Sequence, residues 1–175
     1  MSKANKSNKA IKYRLYPNDE QKVMFAKTFG CCRFVYNQLL ALQKQRYKDG
    51  ESHLSKLKSN EFATRTLKKD YDFLKEIDKF AVSNAVFHLA DAYDRFFKKQ
   101  NHFPKFKSKR KSKKSYTTNF TNNNILIGKN VIKLPKVGMV KAVIHKLPKD
   151  DWKLKSVTVS QDSVGNYFAS VLFEY

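Results

Sequence analysis

Between Asp94 and Asp150 the chain carries no acidic residue, while the 55 positions 95–149 hold 16 Lys or Arg. The whole chain has 36 basic and 15 acidic residues in 175, so the charge outside that stretch is nearly balanced. A field this one-sided repels itself unless a polyanion lies against it, and a nucleic-acid backbone is the polyanion that fits. The densest run, Lys105-Phe-Lys-Ser-Lys-Arg-Lys-Ser-Lys-Lys114, is preceded by Phe103-Pro104. A bare block of like charge reads as a solvated linker. Cations interleaved with aromatics beside a rigid proline suit phosphate contact with stacking on bases or ribose.

Two other groups could read bases. Asn119-Phe-Thr-Asn-Asn-Asn124 has the composition of a turn, since Asn tolerates left-handed backbone. Asn amides also pair bidentately with adenine edges, and Thr can reach a base or a phosphate. Ala26-Lys-Thr-Phe-Gly30 places a small residue four before a glycine. That spacing occurs both in helix-turn-helix motifs and in ordinary helical corners. The following segment carries few cations until Lys44, so the corner is the plainer reading; a stand-alone helix-turn-helix DNA-binding regulator is the rival function.

Catalytic patterns are missing. His53, His88, His102 and His145 are scattered without metal-ligand spacing, and His88 is expected on the core face of a helix. Asp70, Asp72, Glu76, Asp78, Asp91 and Asp94 read as caps and helix-face charges, not as carboxylates converging on a metal pair. Cys31 and Cys32 are adjacent, an arrangement that disfavours a relaxed disulfide and leaves a zinc site incomplete. They read as small apolar filler in a reducing compartment. No apolar run approaches the ~18–20 residues of a membrane span, and the basic run lacks the apolar stripe of a membrane-surface helix. A cytoplasmic, nucleoid-associated location is expected.

Positioning these groups falls to a strand, a helical region and a group of strands. Ile11-Lys-Tyr-Arg-Leu-Tyr16 alternates as a strand, and Asn18 with Gln21 forms a capping-box pattern at a helix start. Helical spacing predicts one helix through Met24, Phe25 and Phe29, a break at Gly30, and a second through Val35, Leu39 and Leu42 ending at Gly50. A weaker helix spans 54–67, and a clear one starts near Asp78 and fades at Lys98-Lys99. From Tyr116 the period becomes two. Strands are predicted at 124–127 and 131–134 as a hairpin, then at 138–145, 154–161 and 167–175. A lone N-terminal strand cannot leave both edges unpaired, so its partners must be these later strands. The helices are then an insertion into a β domain built from both ends of the chain.

The chain contains, in order, Leu15-Tyr-Pro-Asn18 with Gln21, Arg33-Phe-Val-Tyr-Asn37, Ile77-Asp-Lys-Phe-Ala81 with Asn84, Phe103-Pro-Lys-Phe106, the 119–124 cluster, Lys133-Leu-Pro-Lys-Val-Gly-Met-Val-Lys141 and Val157-Thr-Val159. Together these phrases resemble the TnpB family, the insertion-sequence OrfB transposases understood as RNA-guided DNA endonucleases related to type V CRISPR effectors. The resemblance covers about residues 10–175. It implies an α+β fold: an oligonucleotide-binding-like β-barrel, the wedge domain, at 10–17 and 100–175, with an inserted helical recognition domain at 18–99; residues 1–9, basic and polar, are expected to be a flexible N-terminus outside the resemblance. It implies guide RNA and double-stranded target DNA with a short flanking motif as partners, with base pairing reading the rest. By position it implies flanking-motif contacts from Lys79, Ser83, Asn84, Thr121, Asn122 and Asn123. The RNA and phosphate contacts expected are Phe103, Lys105, Phe106, Lys107, Lys109, Arg110 and Lys111, with Tyr16, Lys136 and Lys141 as further candidates. The family's catalytic half, with metal-binding carboxylates and a zinc ribbon, has no counterpart in these residues. Binding without cleavage is therefore expected, with no magnesium or zinc held here, and self-association through an uncovered β surface is a third expectation.

Overall fold

The computed structural model describes residues 4–175, so the first three positions of the expected flexible N-terminus lie outside the described residues. Among the described residues seven strands are present: β1 (Asn8–Tyr16), β2 (Lys114–Asn119), β3 (Leu126–Ile127), β4 (Val131–Leu134), β5 (Gly138–Val143), β6 (Lys153–Gln161) and β7 (Tyr167–Glu174). The helices are α1 (Asp19–Lys48), α2 (Lys56–Glu61), α3 (Lys68–Asp70) and α4 (Lys79–Phe97), with a π-helical turn at Phe62–Leu67 and a 3-10 turn at Asp72–Glu76. The chain divides into two compact units, one of residues up to Phe25 with Lys113–Tyr175, the other of Ala26–Ser112.

In the β unit all strands are antiparallel, in the order β2–β6–β7–β1–β5–β4–β3. The deduction from the unpaired first strand holds: β1 pairs with β7 along Asn8–Leu15 and with β5 at Arg14–Tyr16. The strand starts inside the stretch expected to be flexible, because Lys9 pairs with Phe173 and Ser7 exchanges backbone hydrogen bonds with Tyr175. Alternation works as read: Ile11, Tyr13 and Leu15 are buried with Val157, Val159, Ala169, Val171 and Phe173. No ladder joins the outer strands β2 and β3, so the sheet is open. The shortness of β3, two residues, limits pairing at that edge.

The start of α1 is a reciprocal capping box. Gln21 N donates to Asn18 Oδ1 at 2.9 Å, and Asn18 N donates to Gln21 Oε1 at 3.0 Å. Phe25, one turn on, packs its ring 5.6 Å from Tyr167 and 6.2 Å from Tyr116.

The break expected at Gly30 is absent: α1 runs 30 residues without interruption. A mid-helix glycine costs about 1 kcal/mol relative to alanine. Burial of Phe29, Cys31, Cys32, Val35, Tyr36, Leu39 and Leu40 on the same helix outweighs that cost, at about 1.5–3 kcal/mol for each large apolar side chain. Gly50 closes α1 as expected: at φ +71°, in the left-handed region that a glycine adopts without penalty, it lets Glu51 N reach back to Arg46 O at 2.8 Å.

In the helical unit α4 buries Ala81, Val82, Ala85, Val86, Leu89 and Tyr93. Asp78 caps it by accepting from Phe80 N at 3.0 Å. His88 is exposed, contrary to its expected core position. The buried stripe passes through Leu89 and Tyr93 and leaves position 88 at its margin. Cys31 and Cys32 are free thiols and buried, and Cys32 Sγ donates to the Ala81 carbonyl at 3.4 Å.

Candidate nucleic-acid interface

The helical unit holds the basic run as an anchored strap. Asn37, on α1, uses its side-chain amide as a substitute strand: Lys107 N donates to its Oδ1 and its Nδ2 donates to the Lys107 carbonyl, both at 2.8 Å. Pro104 is buried. The Phe103 ring stands edge-on to Tyr93 at 5.5 Å and to Phe96 at 5.1 Å. The Lys44 ammonium lies 4.5 Å from the centre of Phe106 and 5.6 Å from that of Phe103. That of Lys107 lies 4.2 Å over Tyr36, and desolvation pulls its pKa below the ordinary lysine value. Beyond the anchor, Ser108 Oγ accepts from Lys111 N at 3.1 Å and Ser108 O from Ser112 N at 3.0 Å. This tight turn leaves Lys109, Arg110 and Lys111 exposed, as Lys105 is. All seven expected strap residues thus fall on one short segment, fixed at its aromatic end and cationic at its free end.

At the start of α4 in the same unit, Lys79 is exposed with its ammonium 5.2 Å from the centre of Phe80, while Ser83 and Asn84 are half-buried. Lys79 and Ser83 are four apart and share a helix face.

The β unit carries Thr121, Asn122 and Asn123 at the tip of a loop whose geometry serves both readings of the Asn cluster. Asn124 is the turn-former: its Oδ1 accepts from Thr121 N at 2.8 Å, its Nδ2 donates to the Asn119 carbonyl at 2.9 Å, and its own N–H reaches Thr121 O at 3.0 Å. Asn122 and Asn123 sit at φ +48° and +56°, the left-handed region where Asn is enriched. Their side chains and that of Thr121 are exposed. One asparagine builds the turn and two are displayed by it.

Tyr16 and Lys141 are cross-strand partners on β1 and β5, both exposed. Lys136 is exposed in the turn between β4 and β5. Beside Tyr16 is a cluster that sequence reasoning missed. Arg14 lies 4.9 Å over the Tyr16 ring and 5.4 Å over Phe168, and Lys12 lies 4.5 Å over Phe168. The signal was the opposite parity of β1, since Lys12 and Arg14 alternate with Ile11, Tyr13 and Leu15. Phe168 required the β1–β7 register, which pairs it with Arg14. Asn37 and Lys44 were also missed, because only the fold brings α1 to the strap.

The cations of 95–149 remain uncompensated within the described residues. The ion pairs seen there use Lys6, Lys27, Arg46, Lys58, Arg65, Lys75 and Lys155 instead. Among the described residues, no group of three or more His, Cys, Asp or Glu is placed to share a metal ion, and no helix is long and apolar enough to cross a membrane.

Residues 5–52 match a family described as "Helix-turn-helix domain", the OrfB type of IS605 elements. In this chain that span holds β1 and the uninterrupted α1. A Streptomyces pristinaespiralis protein named "Putative RNA-guided DNA endonuclease" is 31% identical over 95% of this chain and 41% of its own length. "Putative RNA-guided DNA endonuclease InsQ" of Escherichia coli (strain K12) is 30% identical over 94% of this chain and 40% of its own. "Virulence protein VsdF" of Salmonella dublin is 32% identical over 58% of this chain and 93% of its own. The chain therefore spans about two fifths of the length of the first two relatives. With the OrfB domain at its beginning and these relatives matching along most of its length, the chain belongs to the TnpB family of insertion-sequence OrfB proteins.

Proposed function

We propose that residues 4–175 form a nucleic-acid-binding part of an RNA-guided DNA endonuclease, holding guide RNA and a short motif beside the DNA target. The observation that carries this reading is the acid-free stretch 95–149, whose cations take no part in the ion pairs seen among the described residues. The strap Phe103–Lys111, with Tyr16, Lys136 and Lys141, is assigned to RNA. Lys79, Ser83 and Asn84 with Thr121, Asn122 and Asn123 are assigned to the flanking motif on duplex DNA. The open sheet is read as a wedge domain of partly open oligonucleotide-binding type, and Ala26–Ser112 as the recognition domain. Binding, not cleavage, is assigned to these residues, and neither magnesium nor zinc has a role in it. Both cysteines are buried, the Cys32 thiol donates to the Ala81 carbonyl, and among the described residues no group of three or more His, Cys, Asp or Glu includes them. The cytoplasm, at the nucleoid, is the setting proposed. The helix-turn-helix regulator is not favoured, because α1 passes through the position of its turn.

The test is binding of purified chain to its copurified RNA and to duplex DNA over a salt series. Six to eight phosphate contacts on duplex DNA give a log–log slope of roughly −5 to −7. Gln in place of Lys105, Lys107, Lys109, Arg110 and Lys111 should flatten the RNA slope, while Thr121→Ala with Asn122→Ala should reduce motif discrimination and spare RNA affinity. A flat salt response, or magnesium-dependent cutting by this chain, refutes the proposal.

A further inference from the structure

Within the helical unit the strap borders a cleft of about 660 Å³ that the electrostatic reading leaves unused. Its walls are aromatic: Tyr47 on α1, His53, Tyr93, Phe96 and Phe97 on α4, and Phe103. The rings brace one another. His53 meets Tyr93 at 4.6 Å and Phe97 at 5.4 Å, both edge-on, and Phe97 lies 5.6 Å from Phe96 and 5.9 Å from Tyr93. The floor is fixed by Gln43, a buried side chain that accepts from Leu54 N at 3.0 Å, donates to Leu54 O at 3.1 Å and lies 3.4 Å from His53 Nε2. Burial lowers the His53 pKa below its ordinary value, so the ring is an uncharged wall at neutral pH.

The rim is cationic. Lys44 and Lys48 line the opening, and Lys98 and Lys99 follow Phe97 directly. The acid on the lining, Glu51, is held by Arg46 at 2.8 Å. Tyr47 and Phe97 present their rings to solvent, 86% and 58% exposed, so packing of the unit does not account for them. An apolar slot with Lys44 and Lys48 on its lining is complementary to a flat aromatic group that carries phosphates on either side. Duplex DNA keeps its bases stacked, whereas RNA loops and ends offer bases that are not.

We propose that this cleft takes one unstacked base of the bound RNA, stacked on Phe97 and Tyr47, with Lys44 and Lys48 on its flanking phosphates. The inference rests on the RNA-binding reading above. It adds a base-stacking site beside the strap, built on Tyr47 and Phe97, which the RNA assignment above does not use, and it is tolerant of base identity because every base has a π face.

The probe is a uridine-rich 12-nucleotide RNA with one 2-aminopurine, titrated with the full chain. Binding should quench the 2-aminopurine. Tyr47→Ala with Phe97→Ala should weaken binding roughly 5- to 150-fold, the loss expected for one stacked base, and abolish the quenching. The salt slope should stay unchanged, because no cation is removed. Phe97→Trp should retain both quenching and affinity, which separates stacking from damage to the fold. Wild-type affinity in the double variant overturns the stacking site and leaves the RNA-binding reading intact, whereas wild-type chain that binds no RNA defeats that reading itself. Equal quenching of the matching DNA strand overturns the assignment to RNA. Dimers lost on the same two substitutions, with RNA affinity unchanged, overturn it in favour of a second copy of the chain.

Discussion

Gly30→Ala decides between the turn suggested by local sequence and the continuous helix of the fold. In a helix-turn-helix the glycine sits where the backbone turns, often with positive φ, and a Cβ there is strained. In α1 it does not have positive φ: the glycines that do are Gly50, Gly138 and Gly165. A Cβ built on Gly30 meets only the Arg33 guanidinium, at 3.9 Å, an ordinary contact with the end of a flexible side chain. The substitution should therefore recover the helix-propensity difference, about 0.8–1.0 kcal/mol, part of it through a less free unfolded chain. Urea denaturation should show a higher midpoint with the slope m unchanged, and the melting temperature should rise by about 2–4 °C. Destabilisation by 1 kcal/mol or more would refute the continuous helix and restore the turn. The control is Gly50→Ala, at φ +71°, which should destabilise.

Asn37→Ala removes both hydrogen bonds that pin Lys107, at about 0.5–1.5 kcal/mol each. Amide exchange at Lys107 should accelerate and trypsin should cut the strap sooner; unaltered exchange would mean the strap is held elsewhere. A thiol reagent at pH 8 should label neither cysteine in the folded chain and both in denaturant, since burial raises the pKa of Cys31 and takes that of Cys32 to about 12. Rapid native labelling would contradict their burial. Because the folded pKa of His53 lies below its unfolded value of about 6.5, the unfolded chain takes up the proton first. Stability should be full above pH 6.5 and fall as the solution is acidified below it, and His53→Gln should remove part of that fall in a melting series at pH 7 and pH 5.

The elements were legible wherever periodicity and a terminating residue agreed. The capping box at Asn18, the Asp78 cap and the alternation of β1 each rest on chemistry local to a few residues. Gly30 was misread because local propensity favoured a break while the decisive term, burial along the whole of α1, belongs to tertiary packing. The strap was legible as composition. Its anchor was not, because Asn37 and Lys107 are 70 residues apart and neither carries a signal alone. The aromatic cleft is illegible for the same reason: Tyr47, His53, Phe97 and Phe103 come from four segments, and nothing in the sequence brings them together.

The placement of β1 in the middle of the sheet has a consequence for synthesis. Its partners, β5 and β7, begin at Gly138 and Tyr167, so the strand is made early and stays unpaired until more than a hundred further residues have been added. At roughly 5–20 residues per second, the wait between Tyr16 and Tyr167 lasts about 8–30 s. During that time Ala26–Ser112 can fold, while a strand carrying Ile11, Tyr13 and Leu15 remains open to pairing with other chains. Lys9, Lys12 and Arg14, interleaved with those apolar residues, are the charges that keep a nascent strand soluble. Cations that in the finished protein sit among the ladders of a paired sheet would thus first serve as guards against aggregation on the ribosome.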